Sequence, residues 1–139
     1  PAEIARDVRR VLWMKYVFLA AHAGMTALTR CPAKVIRELP ETRRMYRLLL
    51  EEMTALARAV GAGLDEDVVD ASLGMLDGLG PGAFSSLYHD LTHGGRLELE
   101  ALHGHAVRLG ERHGVPTPML FAVYAALRPY LDGAPPIGV

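Results

Sequence analysis

Apolar residues recur along this chain at intervals of three and four, the spacing that places side chains on one face of an α-helix. No stretch shows the alternating, β-branched pattern that predicts a strand. The pattern therefore predicts an all-α fold, a multi-helix bundle around one hydrophobic core. A length of 139 residues is that of one ordinary domain, so residues 1–139 are predicted to form a single helical domain.

The first predicted helix runs from Ala2 to Thr29 and turns apolar on all sides after Trp13, which is typical of a helix inside a bundle or an interface. Prolines at helix starts and glycines at helix ends set the later boundaries. Further helices are predicted over about residues 33–39, from 40 up to Gly61, after the acidic cluster Asp65–Asp67, and over 85–92, 97–112 and 117–131. The glycine-rich run Leu76–Phe84 is predicted as a loop, and Asp132–Val139 as a frayed end.

Composition excludes several classes of partner. A formal net charge of -1 with 22% charged residues predicts no nucleic-acid surface. The only cysteine, Cys31, excludes an internal disulfide and fits a reducing compartment such as the cytoplasm. The segment Val11–Thr29 resembles a membrane span, but it contains Lys15, His22 and Gly24, so a buried core helix is favoured and no membrane partner is predicted. With Pro1 first and no signal peptide, the chain is expected to begin at a domain boundary.

Lys15 is one of only two lysines, and Val11, Phe18, Leu19 and His22 surround it on neighbouring helical turns. If this helix packs as its pattern requires, the ammonium is not freely solvated. Such an ammonium can donate a hydrogen bond, and finally a proton, to a carbonyl oxygen that becomes an alkoxide. The alternative is a lysine that extends along a helix edge into water.

A second group of candidate residues surrounds the Gly94-Gly95 turn. Hydroxyls and carboxylates at Ser86, Asp90 and Glu98 are of the kind that orient a ligand. The alternative is structural, with Ser85 or Ser86 capping the short helix and Asp90 pairing with Arg96.

The histidines raise the possibility of a metal site. His89 and His93 are four residues apart, but His93 falls where the helix should end, and His103 and His105 point to different sides of a helix. We expect no metal.

Taken in order, the segments resemble the C-terminal helical domain of the ketopantoate reductase (2-dehydropantoate 2-reductase) family. The resemblance extends from about Val11 to Leu131. The motifs that carry it are Trp13-Met14-Lys15, Thr26-Ala27-Leu28, a Glu51-Glu52 helix ending at Gly61, Ser85-Ser86-Leu87 with Asp90, Gly95-Arg96 followed by Glu98-Leu99-Glu100, and Gly114-Val115-Pro116-Thr117-Pro118.

The resemblance implies a two-domain NADPH-dependent reductase in which a separate N-terminal Rossmann domain binds most of the dinucleotide, and in which homodimers are common. It also implies a fold like the C-terminal domain of 6-phosphogluconate dehydrogenase. Lys15 would be the general acid for the carbonyl of a small 2-oxo acid, and Ser86 would bind the carboxylate. Glu98 would act in catalysis by positioning both substrate and cofactor, and Asp90 would give structural support.

This sequence departs from the family pattern beside the lysine. The family usually has asparagines four and eight residues after the lysine, where this chain has Leu19 and Ala23. A pocket without those amides cannot orient the same hydroxylated acid by the same hydrogen bonds. His22 is therefore a candidate substitute in substrate binding. The alternatives for His22 and for the whole chain are a core histidine and a non-catalytic helical dimerisation or interaction domain.

Overall fold

Helices account for nearly all regular structure in the computed structural model, which describes residues 1–135. The α-helices are α1 (Ala2–Thr29), α2 (Ala33–Glu38), α3 (Pro40–Ala59), α4 (Val68–Gly78), α5 (Ser86–Thr92), α6 (His105–His113) and α7 (Pro118–Leu127). A π-helical turn (Glu100–Gly104) leads into α6, and a 3-10 turn (Arg128–Tyr130) follows α7. Because residues 1–135 contain no strand, the all-α prediction is confirmed.

The second half of α1 is the centre of the bundle. Every residue from Ala20 to Ala27 is buried, and the helix contacts α3, α5, α7 and the π-helical turn. Small residues allow this close packing: a Cβ added at Gly24 would lie 3.0 Å from a methyl carbon of Val123 in α7. By length and composition α1 is also long and apolar enough to cross a membrane, but 56% of its most apolar window is buried inside the fold. Such burial is what a core helix requires.

Helix boundaries follow proline and glycine closely. Pro40 and Pro118 occupy the first turns of α3 and α7, where a missing N–H costs nothing. Gly61 and Gly114 follow α3 and α6 with φ of +73° and +68°, a left-handed conformation that side chains disfavour. The predicted glycine stop at Gly61 is therefore confirmed, and Gly114 ends α6 in the same way.

Three boundaries differ from the sequence prediction. Helix α4 continues to Gly78, so the loop predicted from Leu76 begins only at Leu79; the buried side chains of Leu73 and Leu76 stabilise the helix despite its glycines. The helix predicted from Leu97 starts later, because the N–H of Leu97 donates to the carbonyl of Leu131 at 2.9 Å instead. At the C-terminus α7 ends at Leu127. Of the predicted frayed end, residues 136–139 lie outside the described residues.

Candidate active site

Lys15 lies on an exposed face of α1, just before the buried half of the helix. The expectation that its ammonium is withdrawn from water is therefore wrong for this domain alone, because no other helix within residues 1–135 covers that face. Its side chain nevertheless borders a groove of about 380 Å³ between α1 and α4. We call this the α1–α4 groove; it is lined by Met14, Lys15, Phe18, Leu19, Val68, Ala71, Ser72 and Met75.

The two positions that depart from the family pattern follow Lys15 along the same helix face. Leu19 is 40% exposed and forms part of the α1–α4 groove, whereas Ala23 is buried. Residues spaced by four lie one above the other on a helix, so Lys15, Leu19 and Ala23 form one continuous ridge. Neither of the last two side chains can form a hydrogen bond.

His22 is a core histidine, which corrects its assignment as a substrate ligand. Its Nδ1 lies 3.1 Å from the hydroxyl of Tyr46, and its Nε2 donates to the carbonyl of Phe84 at 2.9 Å. The ring also stacks on Phe18, with centroids 5.5 Å apart. Burial lowers the pKa of His22, which favours the neutral ring. Both ring nitrogens are thus used inside the fold.

The two serines before α5 have different surroundings. Ser85 is the N-cap: its Oγ accepts from the N–H of Tyr88 at 3.1 Å and lies 2.7 Å from the hydroxyl of Thr26. Ser86 is the first residue of α5 and is exposed. Thr26 lies eleven residues after Lys15 on α1, which is roughly 16 Å along the axis at 1.5 Å per residue. The capping alternative is therefore confirmed for Ser85, and its contact with Thr26 places the start of α5 well beyond Lys15 along α1.

Glu98 is also exposed and directly precedes Leu99 and the π-helical turn. Arg96 lies 3.9 Å from Asp132 rather than pairing with Asp90, and both partners are largely exposed, so this ion pair adds little stability. Asp90 instead uses its main chain, whose carbonyl accepts from Gly95 at 2.8 Å. The α1–α4 groove includes neither Ser86 nor Glu98, so within the described residues one pocket does not unite all three candidates.

A second groove, which the sequence did not predict, lies on the other side of the ridge. It has a volume of about 300 Å³ and is lined by Leu12, Trp13, Tyr16, Ala101, Leu102 and His105. The hydroxyl of Tyr16 donates to the carbonyl of Leu102 at 2.5 Å, and burial raises the pKa of Tyr16 to about 12. The phenol therefore stays protonated and holds α1 to the π-helical turn.

The paired histidines of α5 serve the helix end. The Nδ1 of His93 donates to the carbonyl of His89 at 2.7 Å, a carbonyl that also accepts from the main-chain N–H of His93 at 3.0 Å. Across residues 1–135, histidine, cysteine and carboxylate side chains form no group of three or more that could hold a metal ion.

Comparison with known proteins identifies the family. Residues 7–131 match the model of the ketopantoate reductase PanE/ApbA C-terminal domain. The chain belongs to this family. It is 33% identical over 124 residues to a 2-dehydropantoate 2-reductase of Caulobacter vibrioides, and 28% identical over 127 residues to the uncharacterized oxidoreductase YkpB of Bacillus subtilis. These alignments cover 89% and 91% of this chain.

Solved structures agree with the family assignment. A dimeric ketopantoate reductase from Staphylococcus aureus has a TM-score of 0.83 and 30% sequence identity over 89% of this chain. The chain spans only 42% of the two relatives and 43% of that structure. The matched part is the helical C-terminal domain of ketopantoate reductases.

Proposed function

We propose that this chain is the substrate-side domain of a cytoplasmic NADPH-dependent reductase of small 2-oxo acids, whose Rossmann domain precedes it in the intact protein. The observation that carries the proposal is the position of Lys15, which lies on the exposed part of α1 beside an apolar groove. The exposed Ser86 begins α5, which packs against α1. Family membership supports the same assignment, because relatives that share this domain are 2-dehydropantoate 2-reductases.

In this mechanism the Lys15 ammonium donates a hydrogen bond to the substrate carbonyl oxygen. NADPH, when bound, supplies the hydride that reduces the carbonyl carbon. As the C=O electron pair moves onto oxygen, Lys15 transfers its proton there and a 2-hydroxy acid results. Because Lys15 is exposed in this domain, the proposal requires the Rossmann domain to cover it and to exclude water from the site.

Ser86 and Glu98 have positioning roles in this proposal. The exposed Ser86 hydroxyl donates to the substrate carboxylate, and Glu98 accepts hydrogen bonds from hydroxyls of the substrate and of the cofactor ribose. The described residues fit the cofactor only in part, since they contain no strand and hence no strand–turn–helix site for its phosphates. Titration of the 139-residue chain with NADPH should accordingly give weak binding, and tight binding would contradict the two-domain arrangement.

The general-acid role is tested by Lys15→Ala in the intact protein. Loss of a general acid should lower kcat by roughly 10²-fold to 10⁴-fold on a 2-oxo acid substrate. Lys34→Ala, at the only other lysine, is the matched control because Lys34 is exposed on α2, and it should leave kcat unchanged. An unchanged rate for Lys15→Ala would refute the proposal.

The two adjacent serines separate substrate binding from folding. Ser86→Ala should raise KM for the 2-oxo acid and leave the free energy of unfolding almost unchanged. Ser85→Ala removes the N-cap of α5 and should lower the free energy of unfolding by about 1 kcal/mol. Equal effects of both changes on KM would contradict the assigned role of Ser86.

A second candidate function is a helical dimerisation domain, and the first half of α1 favours it. Ile4, Val8, Val11 and Leu12 are 62%, 52%, 60% and 60% exposed and follow the spacing of one helix face. We call these four residues the α1 stripe. Contiguous exposed apolar residues of this kind mark interaction surfaces. Dimerisation through the α1 stripe is compatible with the reductase, so the two candidates are tested separately.

A further inference from the structure

The α1–α4 groove combines one positive charge with apolar walls. Lys15 is its only charged residue, and Met14, Phe18, Leu19 and Met75 are among the apolar side chains beside it. A volume of about 380 Å³ falls in the size range of small-molecule sites. An anionic molecule with a compact apolar portion matches both features.

We propose that the α1–α4 groove binds the side chain of the 2-oxo acid, and that this side chain is apolar and carries no hydroxyl. The inference rests on the proposed function, in which the Lys15 ammonium contacts the substrate carbonyl oxygen. The carbonyl carbon bears two substituents, the carboxylate and the side chain. With the carboxylate turned away from the apolar walls, the side chain lies in the groove that borders Lys15.

The wall of the groove explains the preference. Leu19 stands in this wall one turn after Lys15, and its side chain offers no hydrogen bond. Ser72 carries the only hydroxyl of the lining and is just 5% exposed. A substrate hydroxyl placed here would lose its hydrogen bonds to water without replacement. An apolar pocket rejects an added hydroxyl by a factor of roughly 10².

A matched pair of substrates tests the preference in the intact protein with NADPH. Ketopantoate ends in a hydroxymethyl group, and its deoxy analogue has a methyl group in that place, so the two differ by one oxygen atom. The proposal expects kcat/KM for the deoxy analogue to exceed that for ketopantoate by about 10-fold to 100-fold. The methyl NMR signals of Met14 and Met75 should shift on addition of the deoxy analogue, while that of Met119, outside the groove, should not.

Two variants assign the preference to the groove. Leu19→Asn places an amide in the wall and should reduce the ratio of the two kcat/KM values towards one. Leu39→Asn makes the same change at an exposed leucine outside the groove and should leave the ratio unchanged. Ala71→Phe fills the groove from the exposed face of α4 and should lower kcat/KM for the deoxy analogue by at least about 10-fold. Thermal unfolding by circular dichroism verifies that each variant is folded.

The outcomes separate this inference from the proposed function. Reduction of ketopantoate as fast as or faster than its analogue would overturn the inference and leave the reductase intact. Reduction of neither acid would overturn both. A preference for the analogue that survives both Leu19→Asn and Ala71→Phe would place the side chain elsewhere. If the methyl signals of Met14 and Met75 shift as the protein concentration rises, and not when substrate is added, the groove is occupied by a second copy of the chain.

Discussion

The Nε2 of His103 donates a hydrogen bond of 2.8 Å to the main-chain carbonyl of Ala20, which joins the π-helical turn to the buried half of α1. His103 is completely buried, and its Nδ1 has no partner among the described residues. Burial lowers the pKa of His103, as it lowers that of His22. Both imidazoles are therefore held neutral in the folded protein.

Because of these two histidines, we expect the folded protein to lose stability in acid. In the unfolded chain a histidine has a pKa near 6.5. Below that pH the unfolded state therefore binds protons that the two buried imidazoles of the folded state do not bind. The stabilisation is present above about pH 6.5 and is lost as the pH falls towards the lowered pKa values of His22 and His103 in the folded protein. The free energy of unfolding should fall by up to about 1.4 kcal/mol per pH unit for each histidine. Urea unfolding at several values between about pH 7.5 and 5.5 measures this slope.

A pair of variants assigns part of the slope to His103. His103→Gln removes the titrating group and should flatten the dependence of unfolding free energy on pH, whatever its effect at neutral pH. His113→Gln, at an exposed histidine at the end of α6, is the control and should keep the wild-type slope. The same slope in both variants would show that His103 does not carry the effect.

The side chain of Glu52 stabilises the fold by capping the start of α7. Its two carboxylate oxygens accept from the N–H groups of Met119 and Leu120 at 2.9 Å each, and so cap α7 from α3. Glu52→Ala leaves both donors without this partner and should lower the free energy of unfolding by about 1–2 kcal/mol. Glu52→Gln keeps one acceptor oxygen and should cost about half as much. Glu51→Ala, at the exposed neighbouring position, should change stability little; an equal loss there would exclude capping as the cause.

Local signals explain which parts of the fold the sequence predicts. The bounds of α1 and the starts of α3 and α7 follow from periodicity and proline, which act within a few residues. The late start of the helix near Leu97 depends on Leu131, which is remote in the sequence. Periodicity within one segment contains no information about such a partner.

The candidate site was predicted less completely for the same reason. His22 lies on the face of Lys15, but its partners Tyr46 and Phe84 come from distant segments and make it a core residue. The apolar neighbours of Lys15 along α1 predicted a dry ammonium. Burial depends instead on whether another element covers that face, and among the described residues none does. The second groove, which includes Tyr16, depends likewise on the contact of Tyr16 with Leu102, a residue remote in the sequence.

Two glycines within helices predict opposite effects of the same substitution. A Cβ at Gly110 in α6 would lie 2.7 Å from the carbonyl oxygen of Val115, so Gly110→Ala should lower the free energy of unfolding by about 1–3 kcal/mol. At Gly74 in α4 no heavy atom of the described residues lies within 4 Å of an added Cβ, apart from the adjoining residues and the backbone of the helix itself. Gly74→Ala should therefore raise the free energy of unfolding by about 0.5–1 kcal/mol through helix propensity. Chemical denaturation of both variants checks the difference in sign.

The α1 stripe predicts self-association of the chain. A symmetric dimer would bury the stripe of both copies, so one substitution acts twice. Val8→Asp places facing carboxylates in an apolar contact and should raise the dimer Kd by at least about 100-fold, since burial of one valine contributes roughly 1.5 kcal/mol in each copy. Analytical ultracentrifugation over a range of concentrations measures the Kd. Phe121→Asp, at an exposed apolar residue of α7, is the matched control and should leave the Kd unchanged. A chain that stays monomeric at every concentration, or a dimer weakened only by Phe121→Asp, would remove the α1 stripe as the contact surface.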